Sequence, residues 1–328
     1  MKPKTKPKTK LLKENIMPTI NPILHSLLTT KRPTNNAGFC LTYTQDLLSR
    51  YDIPFTTDAH MNVVVDNGGT TCFTAHQDTV DNKLGLNSLV IDDAGMLSVE
   101  GGGVLGADCG SGMYIMIRMI LASKSGLYVF FSTEEQGRIG SSAYKMPATI
   151  TKCVSFDRKG TDNLITHQMG ERGCSDAFAD AFIASFSLPY QKDPTGSFTD
   201  SYSFFDTVPE CINLSVGYYN QHTKNESQDV PFLENLVDAC IALDWESMPV
   251  DRDPTTVEWE DQDWDWYKQG GKKYESKYYG SYKPTVRSID DFVYEYPWAV
   301  ADLLEAYGIT LADLVAHKDM LEGAEDVA

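Results

Sequence analysis

The sequence predicts an α/β protein with a mixed, mostly parallel central sheet that is flanked by helices. Strand-length apolar runs alternate with helix-length amphipathic segments over residues 61–245, which is the pattern of a sheet covered by helices. Polar residues follow the ends of several of these runs, as expected where a sheet edge forms a ligand crevice. A hydrophobic content of 42% supplies enough apolar side chains for a packed core.

The elements can be assigned in chain order. Leucines at mixed three- and four-residue spacings predict helix over residues 19–53. Two strands follow at 61–66 and 71–76, and the turn Asn67-Gly68-Gly69 separates them. The glycine-rich stretch "GADCGSG" then leads into an apolar helix. The remaining predicted elements are strands at 126–133, 153–157, 163–168 and 211–216 and helices at 175–187 and 231–245.

Composition argues against several classes of protein. The net charge of −18 makes nucleic acid an unsuitable main partner, because phosphate binding requires clustered cations. No apolar run reaches the roughly 20 residues that a membrane span requires, and no apolar segment of signal-peptide type follows the basic N-terminus. The seven cysteines are scattered and include no Cys-x-x-Cys pair. We therefore expect reduced thiols and a cytoplasmic location.

Composition also predicts four segments. Residues 1–16 alternate Lys with Pro and Thr, which predicts a basic disordered tail. Residues 17–248 contain the alternating elements and form the main domain, and residues 249–286, acidic and then rich in Tyr and Lys, predict an irregular linker or a strap on the surface. Residues 287–328 predict two helices broken at Gly308. This helical pair suits docking to a protein partner or to the chain itself.

Residues that can ligate a metal ion fall where the chain leaves the predicted strands or enters a helix. Since the carboxyl ends of parallel strands meet at one sheet edge, we expect these side chains to converge. Imidazoles and carboxylates suit zinc, and two ions about 3.5–4 Å apart require a bridging carboxylate. The sequence therefore predicts a centre for two zinc ions, with cobalt or manganese as substitutes. The predicted ligands are His76, Asp108, Glu135, Asp157 and His222.

Two further acids can serve this centre. Glu134 directly precedes a predicted ligand, so it can act as the general base toward a water molecule at the metal ions. Asp78 lies two residues after His76, and its carboxylate can accept the second ring N–H of that histidine and so orient it.

Five motifs resemble the metal-site motifs of the co-catalytic dizinc exopeptidases, and they occur in the family's order. They are "AHQDTV", "LGADCGSG", "FFSTEEQGRIGS", "SFDRKG" and "GYYNQHTKNE". The clan includes glutamate-carboxypeptidase, tripeptide-aminopeptidase and bacterial leucyl-aminopeptidase types. The resemblance implies that Asp108 bridges the ions, that His76 and Asp157 complete one ion, and that Glu135 and His222 complete the other.

The sequence departs from this family pattern in two places. Cys109 follows the bridging position, where relatives commonly have Asp or Asn, and we expect a small buried side chain rather than a sixth ligand. Only 65 positions separate Asp157 from His222. Many relatives insert a lid domain of roughly a hundred residues there, so we expect an open core without a lid.

Four residues are candidates for substrate contact, each with a structural alternative. Arg158 could steer a substrate carboxylate or simply pair with nearby acids. Asp200 and Tyr202 belong to "GSFTDSYSF", which resembles the family segment that lines the cleft, but Asp200 also suits a helix cap. Tyr219 could form a cleft wall or pack against other aromatic rings.

The sequence thus predicts a zinc-dependent exopeptidase that hydrolyses terminal peptide bonds, with an aminopeptidase as the first choice. A carboxypeptidase or an N-acyl amino-acid deacylase on the same site is the first alternative, because the group that anchors a free amine or carboxylate is not located. The substrate is accordingly a peptide or an acyl amino acid. The second alternative is a metal-binding scaffold without turnover that acts through its C-terminal helices. The presence of Glu134 argues against it, since a scaffold needs no general base.

Overall fold

The computed structural model describes residues 20–81 and 83–256, together with Val300 and Leu304. The predicted tail at 1–16, nearly all of the predicted helical pair at 287–328, and the predicted linker beyond residue 256 lie outside the described residues. The chain divides into two compact units, Met1–Gln262 and Asp263–Ala328. All helices and strands whose bounds are described lie in the first unit.

Within the described ranges the chain forms six α-helices and fourteen β-strands. The helices are α1 (Pro22–Thr29), α2 (Ala37–Ser49), α3 (Ala107–Leu121), α4 (Ile139–Ala143), α5 (Asp176–Ser185) and α6 (Val230–Ala242). The strands are β1 (Thr56–Thr57), β2 (Val63–Asp66), β3 (Thr71–His76), β4 (Leu89–Ile91), β5 (Met96–Val99), β6 (Leu127–Phe131), β7 (Lys152–Arg158), β8 (Asn163–Ile165), β9 (His167–Gln168), β10 (Glu171–Arg172), β11 (Gln191–Asp193), β12 (Glu210–Ser215), β13 (Tyr218–Tyr219) and β14 (Ser227–Asp229).

The main sheet has eight strands in the order β1-β2-β6-β3-β7-β12-β8-β11. Its four central strands, β6, β3, β7 and β12, run parallel to one another, whereas β2 and β8 pair antiparallel with their inner neighbours. This confirms the prediction of a mixed, mostly parallel sheet. The carboxyl ends of the four central strands consequently share one edge. A second sheet of four antiparallel strands has the order β13-β14-β5-β4.

The central strands are buried on both faces, as expected for parallel strands covered by helices. Every residue of β3 and of β6 is buried. Along β3 the side chains alternate between two apolar clusters: Phe73 and Ala75 belong to the larger cluster with α3, and Cys72 belongs to the smaller one. The apolar runs of the sequence therefore mark the centre of the sheet.

Helix α3 packs directly against the central strands because position 112 has no side chain. A Cβ atom at Gly112 would lie 2.4 Å from the carbonyl oxygen of Phe156 in β7 and 2.6 Å from Sγ of Cys109. No side chain fits at those distances, so this glycine sets how closely the start of α3 approaches β7.

The structure refines several predicted elements. The helical region at 19–53 contains two helices, α1 and α2, and Pro33 lies between them. The predicted strand at 163–168 is divided into β8 and β9. The segment 158–221 holds short strands and α5 and contains no inserted domain, which confirms the expected absence of a lid there. No helix in the described part of the chain is long and apolar enough to cross a membrane.

Candidate metal centre

The five predicted ligands converge at the carboxyl edge of the main sheet. His76 is the last residue of β3, Asp157 lies near the end of β7, and Glu135 lies in a short 3-10 helix that follows β6. His222 follows β13, and Asp108 lies in the first turn of α3. The structure thus brings together side chains that are up to 146 positions apart in the sequence.

The carboxylate of Asp108 lies between the two histidines. Its Oδ1 atom is 2.9 Å from Nε2 of His76, and its Oδ2 atom is 3.2 Å from Nε2 of His222. The remaining two acids flank this arrangement. Oδ1 of Asp157 is 3.7 Å from Nε2 of His76, and Oε1 of Glu135 is 3.1 Å from Nε2 of His222. One histidine and one outer acid therefore lie on each side of a shared carboxylate.

Asp108 adopts a conformation that differs from that of the helix it introduces. Its φ and ψ angles are −83° and 103°, those of Cys109 are −112° and 34°, and the peptide bond between the two residues is cis. The N–H of Gly110 donates to the carbonyl of Gly106 at 3.0 Å. The regular part of α3 thus begins after the residue that faces the site.

A buried acid that the sequence analysis did not select holds the loop before Asp108. The carboxylate of Glu226 accepts four consecutive main-chain N–H groups: Oε2 from Leu105 at 2.7 Å and Gly106 at 3.0 Å, and Oε1 from Ala107 at 2.9 Å and Asp108 at 3.2 Å. Burial first, and then the charge of Asp108, raises the pKa of Glu226 to about 7 against the lowering effect of these hydrogen bonds. Glu226 lies in the quoted motif "GYYNQHTKNE", but no local pattern relates it to a loop about 120 residues away.

Arg32 is a second residue that the sequence analysis did not select. Its guanidinium group is fully buried and donates to the carbonyl of Gln77 at 2.8 Å and to that of Gly106 at 3.2 Å. It also donates to the carbonyl of Leu27 in α1. Arg32 thereby joins the residue after His76 to the loop before Asp108.

Asp157 is oriented by three neighbouring side chains. The hydroxyl of Thr199 donates to Oδ2 of Asp157, and the hydroxyl of Tyr218 donates to Oδ1 at 3.2 Å. The side-chain amide of Asn213 in β12 bonds both the N–H and the carbonyl of Asp157, at 2.9 Å and 2.8 Å. These contacts fix the carboxylate against the end of β7.

Asp78 lies beside the second ring nitrogen of His76, but its main chain is the nearer acceptor. Nδ1 of His76 is 2.9 Å from the carbonyl oxygen of Asp78 and 3.5 Å from its carboxylate. The same carboxylate accepts the main-chain N–H of Glu134 at 3.1 Å. Asp78 therefore connects the first histidine of the site to the acid that we expect to be the general base.

Burial and mutual repulsion raise the pKa values of three acids of the site. Burial is the main reason that the pKa values of Glu134, Glu135 and Asp157 are raised, and repulsion from neighbouring carboxylates adds to it. Burial acts to lower the pKa of His222, but hydrogen bonds with Asp108 and Glu135 raise it to about 11. The two histidines are thus outnumbered by acids, and further positive charge would stabilise the cluster.

The pKa of Asp108 shifts in the opposite direction, below its ordinary value. Burial acts to raise its pKa, but hydrogen bonds with His222 and His76 outweigh burial and lower it. The residue between the histidines is therefore the most strongly ionised acid of the group. This is the electrostatic state that a carboxylate shared between two cations requires.

The residues predicted to contact substrate lie in different surroundings. A cleft of about 120 Å³ is lined by Glu134, by Arg158 and by four of the predicted ligands, which are Asp108, Glu135, Asp157 and His222. Arg158 is engaged there by Asp193, with Nη2 3.4 Å from Oδ2. Tyr219 lines a larger neighbouring cavity. Asp200 is buried, with 1% of its surface exposed, and the hydroxyl of Tyr202 donates to Glu171 at 3.1 Å; neither residue lines the cleft.

Cys109 is buried, as expected from its small side chain. Its Sγ atom donates to the carbonyl of Phe156 at 3.1 Å. The thiol also lies within 4.8 Å of a ring nitrogen of His76 and a carboxylate oxygen of Asp157. Cys109 thus lines the inner side of the site.

Comparison with known proteins establishes the fold. No family model matches the sequence, and no curated protein matches it significantly. Aminopeptidase PepT from Bacillus cereus has 14% identity and a TM-score of 0.52, with 68% of this chain and 96% of that chain covered. A tripeptidase from Staphylococcus aureus has 12% identity, a TM-score of 0.54, and coverage of 67% and 95%. The TET1 peptidase from Pyrococcus horikoshii has 14% identity, a TM-score of 0.54, and coverage of 67% and 97%. The chain shares the fold of these peptidases.

Proposed function

We propose that this chain, which shares its fold with solved aminopeptidases, is a metal-dependent exopeptidase that removes the N-terminal residue of peptides. The position of Asp108 between His76 and His222, with one carboxylate oxygen toward each, is the observation that supports the proposal most directly. A carboxylate placed in this way is suited to bridge two ions.

The donor set fits two zinc ions. His76, Asp108 and Asp157 would hold one ion, and Asp108, Glu135 and His222 would hold the other. Imidazole and carboxylate are ligands that zinc accepts, and cobalt or manganese could substitute. Burial, with repulsion from Asp108 added, raises the pKa values of Glu135 and Asp157, and bound cations would relieve this repulsion. When bound, such ions supply Lewis acidity toward a carbonyl group and make water a better nucleophile.

Glu134 is the proposed general base. Its main-chain N–H is held by the Asp78 carboxylate at 3.1 Å, and the residue lines the cleft beside the ligands. Burial raises the pKa of its carboxyl, which suits a group that must accept a proton and then release it. Glu134 takes a proton from the attacking water and passes it to the departing amine.

The structural neighbours named as aminopeptidases favour an aminopeptidase over the alternatives on the same site. A carboxypeptidase or an N-acyl amino-acid deacylase would use the same ligands and base. Two zinc ions would balance the carboxylates of Asp108, Glu135, Asp157 and Glu134, so the choice depends on these neighbours and not on the charge of the cleft.

The other predicted residues and segments complete the proposal. Asp78 positions His76 and Glu134. Arg158 and Tyr219 line the spaces open to substrate, whereas Asp200 and Tyr202 do not line them. Residues 17–248 act as the catalytic domain. Residues 287–328, which the sequence predicts to form two helices, would dock a protein partner or the chain itself.

The test compares p-nitroanilides of leucine and alanine with free and with acetylated amino groups, on zinc-loaded protein. We expect hydrolysis only of substrates with a free amine. Hydrolysis of N-acetyl-leucine to acetate and leucine, with no release of p-nitroaniline from any of the anilides, would favour the deacylase. Absence of hydrolysis in a panel that also contains free peptides and N-acyl amino acids, on protein that retains zinc, would favour a scaffold.

A further inference from the structure

The inner wall of the ligand cluster contains a sulfur atom. Sγ of Cys109, a ring nitrogen of His76 and a carboxylate oxygen of Asp157 all lie within 4.8 Å of one another. Donor atoms that are about 2.0–2.3 Å from one zinc ion lie up to about 4.3 Å apart. The three atoms are therefore close to the spacing that a single ion requires. The other candidate group, His76 with Asp108 and Glu135, contains no sulfur.

The thiol of Cys109 is buried and has only a weak hydrogen bond to lose. None of its surface is exposed, and only 1% of the surface of His76 is exposed. Its Sγ atom donates to the carbonyl of Phe156 at 3.1 Å, and a thiol is a weak donor. A divalent cation that coordinates a thiol displaces its proton. The sulfur can therefore exchange its contact with Phe156 for a metal ion.

Gly112 makes room for this sulfur atom. A Cβ atom at position 112 would lie 2.6 Å from Sγ of Cys109 and 3.1 Å from Cβ of Ala75, the residue before His76. A larger residue at position 112 would displace the thiol. The sulfur is thus held on the side of the site where β3 and β7 end.

We propose that Cys109 is a further ligand of the ion that His76 and Asp157 hold, and that this half of the centre selects zinc or cadmium over manganese. The inference depends on the two-metal site of the proposed function. A small buried side chain was expected at position 109, and the distances indicate a second role for it. Thiolate ligands favour zinc, whereas carboxylate and water ligands suit manganese. When the ion binds, the S–H bond breaks, a metal–sulfur bond forms, and the proton leaves to solvent.

The two halves of the centre would then differ in the number of their ligands. The half with Cys109 would have four protein ligands, one of them the shared Asp108, which is the closed arrangement of a structural zinc ion. The half with Glu135 and His222 would have three, which leaves one position open, as at a catalytic ion. The ion beside Cys109 should therefore be the last that a chelator removes.

Cobalt(II) tests the proposal because its absorption spectrum reports sulfur ligands. Reduced, metal-free protein is titrated with cobalt, and the sulfur-to-cobalt charge-transfer band in the near ultraviolet is recorded with the ligand-field bands in the visible. We expect the charge-transfer band to reach full intensity at one cobalt per chain. Cys109→Ser should lose this band and keep the visible bands, because the imidazole and carboxylate ligands remain. Cys240→Ser removes a buried thiol of α6 that belongs to neither candidate group, and it should keep both kinds of band.

Competition with a chromogenic chelator gives a second readout. The tighter zinc ion of Cys109→Ser should bind about tenfold or more weakly than that of the wild type, which is the least that loss of a group around metal ligands produces. The manganese affinity of the same variant should change little, because manganese gains little from a thiolate.

The results that would overturn the inference differ in what else they affect. Cobalt that binds to the wild type without a charge-transfer band, or a band of wild-type intensity in Cys109→Ser, would exclude the sulfur ligand and leave the two-metal site intact. If Cys109→Ser does not fold, the wild-type spectrum decides, because no other cysteine of the described residues belongs to a candidate metal group. A wild type that binds neither cobalt nor zinc would overturn the proposed function together with this inference.

Discussion

Individual carboxylates at the site differ in their hydrogen bonds, and the roles proposed for them follow these differences. Asp108 presents one oxygen to each histidine. Asp157 receives donors from Thr199 and Tyr218, which leave it fixed at the strand end. Glu134 has its main chain held by Asp78 while its side chain faces the cleft. A ligand should therefore be separable from a base by mutation.

Glu134→Gln should retain the metal ions and lose turnover. The amide keeps the shape of the side chain but cannot accept a proton from water. We expect kcat to fall by roughly 10²–10⁴-fold while zinc content is unchanged. Steady-state kinetics and metal analysis on the same preparation check this. Activity close to that of the wild type would remove Glu134 from its proposed role.

Glu226→Gln should weaken metal binding although residue 226 is not a ligand. The amide nitrogen would face main-chain N–H groups that are themselves donors. Some of the four hydrogen bonds that hold residues 105–108 would therefore be lost. We expect metal affinity to fall by about 10–100-fold, as for other groups that orient ligands. Competition with a chromogenic chelator measures it.

Glu246→Gln is the matched control for this change. Glu246 also accepts a main-chain N–H, that of Thr70 at 3.0 Å, but it does so before the start of β3 and away from the site. The metal affinity of the Glu246→Gln variant should equal that of the wild type. Equal metal affinities for the Glu226 and Glu246 variants would mean that the hydrogen bonds to Glu226 do not position Asp108.

At the residue scale, the side chains that follow strand ends could be predicted from the sequence. Contacts between loops that are distant in the sequence could not. His76, Asp157 and Glu135 could be assigned because apolar runs end beside them. Glu226 could not be assigned, because its partners are main-chain groups about 120 positions away and leave no side-chain pattern. Likewise, the carboxylate of Asp78 was expected to accept the second ring N–H of His76. The nearer acceptor is the main-chain carbonyl of Asp78.

At the scale of elements, the contact between α3 and the sheet determines where Asp108 lies. Gly112→Ala places a methyl group 2.4 Å from the carbonyl of Phe156, and both partners belong to packed elements. We expect unfolding free energy to fall by about 1–3 kcal/mol and metal affinity to fall with it. Chemical denaturation of the metal-free protein measures the first effect.

Gly38→Ala is the control for a glycine in a helix. Nothing lies within 4 Å of a Cβ atom at Gly38, which is an exposed residue of α2. Because alanine favours helix, this change should leave stability equal or raise it by up to about 1 kcal/mol. A Gly112 variant as stable as the Gly38 variant would show that α3 can move away from β7 without a loss of unfolding free energy.

Long, buried elements could be predicted from the sequence and short, exposed ones could not. Strand β3 was predicted with the bounds that the structure gives, because a glycine turn precedes it and its centre is mainly apolar; all six of its residues are buried. Strands β4, β13 and β14 have only two or three residues and include exposed or polar positions. Such segments carry no periodic signal, and their pairing depends on the loops that join them.

At the scale of the whole molecule, the concentration of acids would make bound cations a source of stability. Ions that bind only the folded state stabilise it by mass action, by about 2.7 kcal/mol at a hundredfold excess over Kd. For a domain of this size we expect the melting temperature to rise by roughly 5–10 °C when zinc is restored to chelated protein. Thermal unfolding by circular dichroism measures this rise. Asp108→Asn should remove most of it, and a full zinc-dependent rise in that variant would place the ions elsewhere.

The most direct measurement is the zinc content of the wild type and of Asp108→Asn, after zinc is added and excess is removed by gel filtration. The shared carboxylate predicts about two ions per chain in the wild type and fewer than one in the variant, since both ions lose a ligand. A wild type that retains no zinc, or a variant that still retains two ions, would contradict a metal centre built around Asp108.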